Sequence, residues 1–180
     1  SERLRHRRRQ REEVQRDAEH SRRQRRYAKA LGGGRVYTPQ MVVNGREELL
    51  GSDRDGANEA VERALDERAA LGVAVSLERR GERELLVSWE LASVPENAVL
   101  NFALVQGARD VSVTRGENRG RTLSHANVVR AFETEPIAPA RGGRELSMPG
   151  GGRPRAASVV VFAQSRQTLR VLGATSLAVR

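Results

Sequence analysis

The stretch RGENRGRTLSHANVVR, residues 115–130, places Glu117, Asn118, His125 and Asn127 near one another in sequence, a grouping that could suggest a metal or acid–base cluster. A metal site would need more. The stretch has a single imidazole, and Asn is a poor ligand for the transition metals that imidazole suits. The same spacing makes ENRG a turn between two strands, with His125 an ordinary strand residue. A Ser-His-Asp arrangement has only His125 to serve as base, since His6 and His20 lie in an arginine-rich arm, and no Gly-x-Ser-x-Gly elbow is present. LGGGR, residues 31–35, lacks the lysine and the preceding strand of a phosphate-binding loop and reads as a helix stop. The 180 residues contain no cysteine, which excludes disulfides, thiolate metal sites and thiol nucleophiles. No catalytic residue, metal or cofactor is expected.

A second segment carries recognition rather than reactivity. In RVYTPQMVVNGREELLGSD, residues 35–53, Thr38, Pro39 and Gln40 open a short apolar strand, and Gly51, Ser52 and Asp53 stand where a helix begins. Helix N-termini offer unpaired N–H groups and the positive end of a dipole. Proline tolerates a strand only where its missing N–H costs nothing, and prolines fixed in tight geometry are often cis.

The elements that would position these groups follow from periodicity. Residues 21–31 predict a helix, with Ser21 as cap, Gln24 three positions on, and Tyr27, Ala30 and Leu31 on one side. Gln40 to Val43 and Glu48 to Leu50 flank the Asn44-Gly45 hairpin turn. Ser52 or Asp53 caps a helix to about Ala70, with Ala57, Ala60, Val61, Ala64, Leu65 and Leu71 at helical spacing and Gly72 as its stop. From Val73 the period changes to strand-like, as in VAVSL, ELLVSWEL, AVLNFALVQ, DVSVTRG, TLSHANVVRAFE, ASVVVFAQ and LRVLGATSLAV. Seven short strands with Gly, Pro and Asn between them favour an antiparallel β-sandwich, with Trp89 in its core. Residues 135–156, rich in Pro and Gly, predict a long mobile loop holding at most a short strand at Glu145 to Met148. The expected fold class is therefore α+β, with domains at residues 1–20 (a basic arm), 21–72 and 73–180.

Charge and hydropathy narrow the partners. Of the formal +9, residues 1–30 carry +7, so the body is nearly neutral. Clustered arginines can neutralise phosphates, which makes nucleic acid or an acidic partner one alternative for the arm. No aromatic residue interleaves residues 1–20 to stack on bases, so a solvated arm is the simpler expectation. No run of about 18 apolar residues predicts a membrane span, and no signal peptide is visible. The chain starts at Ser1, which fits a processed or incomplete product.

The order proline, strand, Asn-Gly turn, strand, Gly, helix over residues 36–65 is similar to the C-terminal half of the thioredoxin fold. Its GSD also resembles the glutaredoxin helix start that helps hold the glutathione carboxylate, which implies an anion site at the helix N-terminus formed by Gly51, Ser52 and Asp53. The longer motifs RQRRYAKALGGGRVYTPQMVVNGREELLGSDRD and RGENRGRTLSHANVVR, with a C-terminal RVLGA, resemble the bacterial thioredoxin-like family catalogued as domain of unknown function 1223. The resemblance covers roughly residues 20–180 and implies a periplasmic or secreted protein; a chain made as given, without a signal, would be cytoplasmic. It places Thr38, Pro39 and Gln40 at a cis-proline peptide-binding edge, and marks Gly116, Glu117, Asn118, Gly120, His125 and Asn127 as a family motif of unknown role.

The family's Cys-x-x-Cys and its flanking strands have no counterpart here, so the expectation is a truncated, partial thioredoxin-like unit (helix, cis-Pro β-hairpin, helix) without enzymatic activity. An intact gene product carrying the cysteines would be a disulfide oxidoreductase. Disulfide exchange needs one thiolate to attack and a second thiol to resolve. Without its neighbouring strand the Gln40–Val43 edge is open, which predicts an extended peptide partner, packing on the β-rich half, or self-association.

Overall fold

The computed structural model describes residues 21–32, 36–107, 109–112, 122–125, 127–148 and 157–179, the segments 109–112 and 122–125 as backbone. The expectations for the arm, residues 1–20, lie outside these. The chain is α+β and divides into two compact units: Ser1–Arg68 with Gln167–Arg170, and Ala69–Arg166 with Val171–Arg180. The division falls at Arg68 rather than at Gly72, and a four-residue segment late in the chain joins the first unit.

In the first unit residues 21–30 form helix α1, closed by the Leu31 N–H donating to the Tyr27 carbonyl at 2.9 Å. Gly32 then takes φ +83°, the left-handed conformation that ends helices. Ser21 is already helical and is not the cap, and Gln24 Nε2 instead donates to the Tyr37 carbonyl at 3.1 Å. Ala30 is exposed and Ala28 is buried, because the inward side of a 3.6-residue helix here runs through positions 24, 27, 28 and 31.

Strands β1 (Gln40–Val43) and β2 (Glu47–Leu50) pair antiparallel, Gln40 opposite Leu50 and Val43 opposite Glu47. That register leaves Asn44, Gly45 and Arg46 as a three-residue loop, in which Asn44 and Gly45 both have positive φ, 49° and 66°, and the Arg46 N–H donates to the Val43 carbonyl at 2.9 Å. Helix α2 (Arg54–Asp66) follows and packs on both strands. It stops four residues short of Ala70, with Glu67 extended. The expected apolar stripe also narrows. Ala60 is buried and Ala57 and Ala64 half-buried, so a row of alanines lets the helix approach the hairpin closely, while Val61 and Leu65 are exposed.

The second unit is a β-sandwich. One sheet has the order β11-β10-β5-β8 and the other β3-β4-β9, all antiparallel. The strands are β3 (Val73–Arg79), β4 (Glu84–Leu91), β5 (Ala98–Gln106), β8 (Val128–Pro136), β9 (Arg141–Ser147), β10 (Ala157–Ser165) and β11 (Val171–Ala178), with β6 (Arg109–Ser112) and β7 (Thr122–His125) forming a separate ribbon. Strand alternation puts Leu85, Val87, Trp89 and Leu91 of one sheet against Leu100, Phe102, Leu104, Val159, Val161 and Ala163 of the other. Trp89 and Phe102 meet with ring centroids 5.3 Å apart.

Two expectations need correction. The segment 135–156 is not one loop, since β9 pairs with β4 along its whole length, from Glu84 opposite Ser147 to Glu90 opposite Arg141. Its glycines misled: Gly142 sits opposite Trp89, and a Cβ there would lie 2.3 Å from the indole, so this glycine makes room for a ring rather than for a turn. Second, TLSHANVVRAFE is not one strand. It breaks between β7 and β8, where Asn127 takes φ +54°.

The lateral edges of the sandwich close differently. On one side the Leu71 N–H donates to the Leu172 carbonyl at 2.8 Å, and the Thr175 hydroxyl donates to the Val73 carbonyl. On the other, β8 and β9 are bridged by side chains.

Candidate functional site

The site begins at the bend before β1. The Thr38–Pro39 peptide is cis, and the Pro39 carbonyl accepts the Gly51 N–H at 2.8 Å. A Cβ at Gly51 would lie 3.1 Å from the Pro39 ring, so the start of β1 and the end of β2 are locked together. Gln40 Nε2 donates to Glu48 Oε2 at 2.9 Å, tying the first residue of β1 across the hairpin. Thr38, Pro39 and Gln40 thus form one rigid corner.

From that corner β1 runs with all four residues half-buried and none charged. Its partner among the described residues is β2 alone. One row of backbone N–H and C=O groups therefore faces away from β2, and the usual protections of an exposed edge, a lysine or a proline within the strand, are missing from Gln-Met-Val-Val. Chemically, such an edge can accept another extended chain.

Gly51, Ser52 and Asp53 do not form the expected anion site. Gly51 gives its N–H to Pro39, and Asp53 gives its own to the Leu50 carbonyl at 2.9 Å. The Asp53 carboxylate then accepts from the Gly56 N–H at 3.0 Å as the N-cap of α2. A carboxylate at the positive end of the helix satisfies it internally, and an incoming anion would meet that charge.

Ion pairs hold α2 to the hairpin. Arg63 pairs with Glu47 at 2.8 Å and with Glu59 at 3.7 Å, and Arg46 pairs with Glu67. The hydrogen bond from Arg63 holds the Glu47 carboxyl below its ordinary pKa, and the same bond raises that of Arg63. All these groups are exposed, so each pair contributes little.

Of the family motif, Gly116, Glu117, Asn118 and Gly120 lie outside the described residues. His125 ends β7 opposite Arg109, and Asn127 marks the break before β8. Among the described residues, no group of three His, Cys, Asp or Glu side chains is placed to share a metal ion.

Two polar clusters escaped the sequence. Arg144 of β9 donates through Nε to Glu133 at 2.7 Å and through Nη1 to Glu135 at 2.6 Å, both on β8 of the opposite sheet, with its guanidinium 5.8 Å from the Phe102 ring centre. Burial works against the Arg144 charge; the bonds and charges of Glu135 and Glu133 outweigh it, so its pKa is raised. On β5, buried Asn101 donates to Gln164 at 3.4 Å and accepts from the Thr134 hydroxyl at 2.8 Å. In both cases the partners come from separate strands; for Asn101 the visible signal is a polar residue inside the apolar strand AVLNFALVQ, whereas Arg144 lies in the polar strand RGGRELS and gives none.

Comparison with known proteins gives a family whose function is unknown. The model of a protein of unknown function (DUF1223) matches residues 15–164. A domain of the outer membrane lipoprotein Omp28 from Porphyromonas gingivalis is structurally similar, with a TM-score of 0.41 and 12% identity over 63% of this chain and 91% of that one. No curated protein matches the chain. With most of its length matched by that model, the chain belongs to the DUF1223 family of proteins of unknown function.

Proposed function

We propose that this chain is a non-catalytic binding module, in which a partial thioredoxin-like unit takes an extended polypeptide by strand addition along β1. The observation that carries the reading is the uncharged edge of β1, unpaired among the described residues, starting at a corner fixed by the Pro39–Gly51 contact. Strand addition draws affinity from main-chain hydrogen bonds and specificity from alternate side chains. Thr38, Pro39 and Gln40 set where the incoming chain would begin, and Met41 to Val43 supply its hydrogen-bonding row. The element order helix, bend, hairpin, helix supports the thioredoxin-like description. The lack of any cysteine removes thiol exchange from this stretch of chain and leaves recognition. A periplasmic or secreted location belongs to the same reading and rests on the family resemblance.

The test is selection of heptapeptides from a random library on the full chain, followed by amide exchange with the selected peptide bound. Slowed exchange at Met41 to Val43, and loss of binding when alternate peptide nitrogens are methylated, is the expected result. A selected peptide that binds equally well after methylation, leaving these amides unchanged, would refute strand addition.

A further inference from the structure

We infer that α1 is a docking face for the phosphate backbone of a single-stranded nucleic acid, a role separate from the β1 edge and independent of it. Arg22, Arg25, Arg26 and Lys29 are exposed, and their spacing of three, four and seven places them on one side of the helix. No carboxylate among the described residues pairs with any of the four, whereas Arg23, between them in sequence, turns aside to stand 5.3 Å from the Tyr27 ring centre and donates to its hydroxyl. Among the described residues the four cations thus stand without an acidic partner, in a stripe about 10 Å long at 1.5 Å of rise per residue.

Long arginine and lysine side chains fan out from such a stripe, so each of the four cations can meet a different phosphate of one flexible strand lying across the helix. Guanidinium forks suit phosphate oxygens, and a row of cations releases the counterions condensed along a polyanion. The side of α1 that holds Ala28, Tyr27 and Leu31 is turned inward, so no apolar surface is left to enter a bilayer, which a membrane-adsorbing helix requires. Tyr27 is engaged by Arg23 and offers no platform for bases, so the contact reads the backbone and not the sequence.

The experiment measures binding of a fluorescent mixed-sequence 20-nucleotide single strand to the full chain across a salt series. It compares wild type, a variant with Arg22, Arg25, Arg26 and Lys29 all changed to Gln, and one with the three arginines changed to Lys. At roughly 0.7 of slope per phosphate contact, the Gln variant should lose about 3 from the log–log salt slope and bind at least about tenfold more weakly at low salt. The Lys variant should keep the slope, because the slope counts charges, and circular dichroism should show the helix retained in both. A wild type that does not bind, or a Gln variant that binds like wild type, overturns the assignment; the latter would move the contact to the arm. Adsorption to anionic phospholipid vesicles without binding to the oligonucleotide also overturns it, in favour of a membrane surface.

Discussion

The carbonyl oxygen of Leu169 lies 1.9 Å from the point where a Cβ on Gly45 would stand. Residues 167–170, carrying buried Leu169 at φ +59°, thereby cap the Asn-Gly turn of a hairpin more than a hundred positions earlier in the chain. Gly45 therefore answers to two demands, the positive φ of its turn and the close approach of a second backbone.

Those demands can be separated by substitution. Asn is tolerated in the left-handed region where Ala is not, yet both carry a Cβ. Gly45→Asn should therefore cost nearly as much as Gly45→Ala, about 1–3 kcal/mol in thermal or urea unfolding. If Gly45→Asn behaves like wild type, the turn conformation alone is the constraint and the Leu169 contact is dispensable.

Gly142 makes a second prediction, in the sandwich. Its Cβ would press on Trp89, which cannot withdraw because Phe102 packs behind it. Gly142→Ala should destabilise by about 1–3 kcal/mol, as overpacked cores do. In a Trp89→Leu background the same change should cost much less, and that non-additivity is the measurement.

Arg144 bridges the two sheets at their open edge, and its loss leaves Glu133 and Glu135 facing each other on one strand. Arg144→Met should cost about 1–3 kcal/mol, a range reduced because these side chains remain 24–35% exposed. Adding Glu133→Gln and Glu135→Gln to that variant should recover stability. A triple variant no better than Arg144→Met would show that packing over Phe102, not charge, is what Arg144 supplies.

Glu47 links stability to pH. Its folded pKa is lowered by Arg63, so the pair stabilises above the ordinary value of 4.5, and that contribution disappears as pH falls through the lower folded value. The gap in unfolding midpoint between wild type and Arg63→Gln should be widest above that window, close as pH drops through it, and shrink in high salt. A gap that stays constant through the acid range would exclude the ion pair as its source.

Much of this architecture is legible in one dimension because it rests on local rules. The Asn44-Gly45 hairpin, the Asp53 cap, the Gly32 stop and the alternation of Leu100, Phe102 and Leu104 all follow from conformational preference and a period of two. Failures came where a residue's role lies with a distant partner. Gly142 reads as a loop residue until Trp89 is opposite it, and Leu169 reads as the start of a strand until Gly45 is beneath it. Gly51-Ser52-Asp53 looks like an anion site until Pro39 and Leu50 take the N–H groups of Gly51 and Asp53.

By itself the amino-acid order determined the α+β class, the lack of cysteine in these 180 residues and the uneven charge, since these depend only on which residues are present and how they alternate. Only the tertiary structure decided, among the described residues, which edge of the hairpin has no partner strand, which cations of α1 have no acidic partner, and which carboxylates meet Arg144. The reason is physical: pairing and neutralisation are made between atoms brought together by folding, across separations that no local spacing encodes.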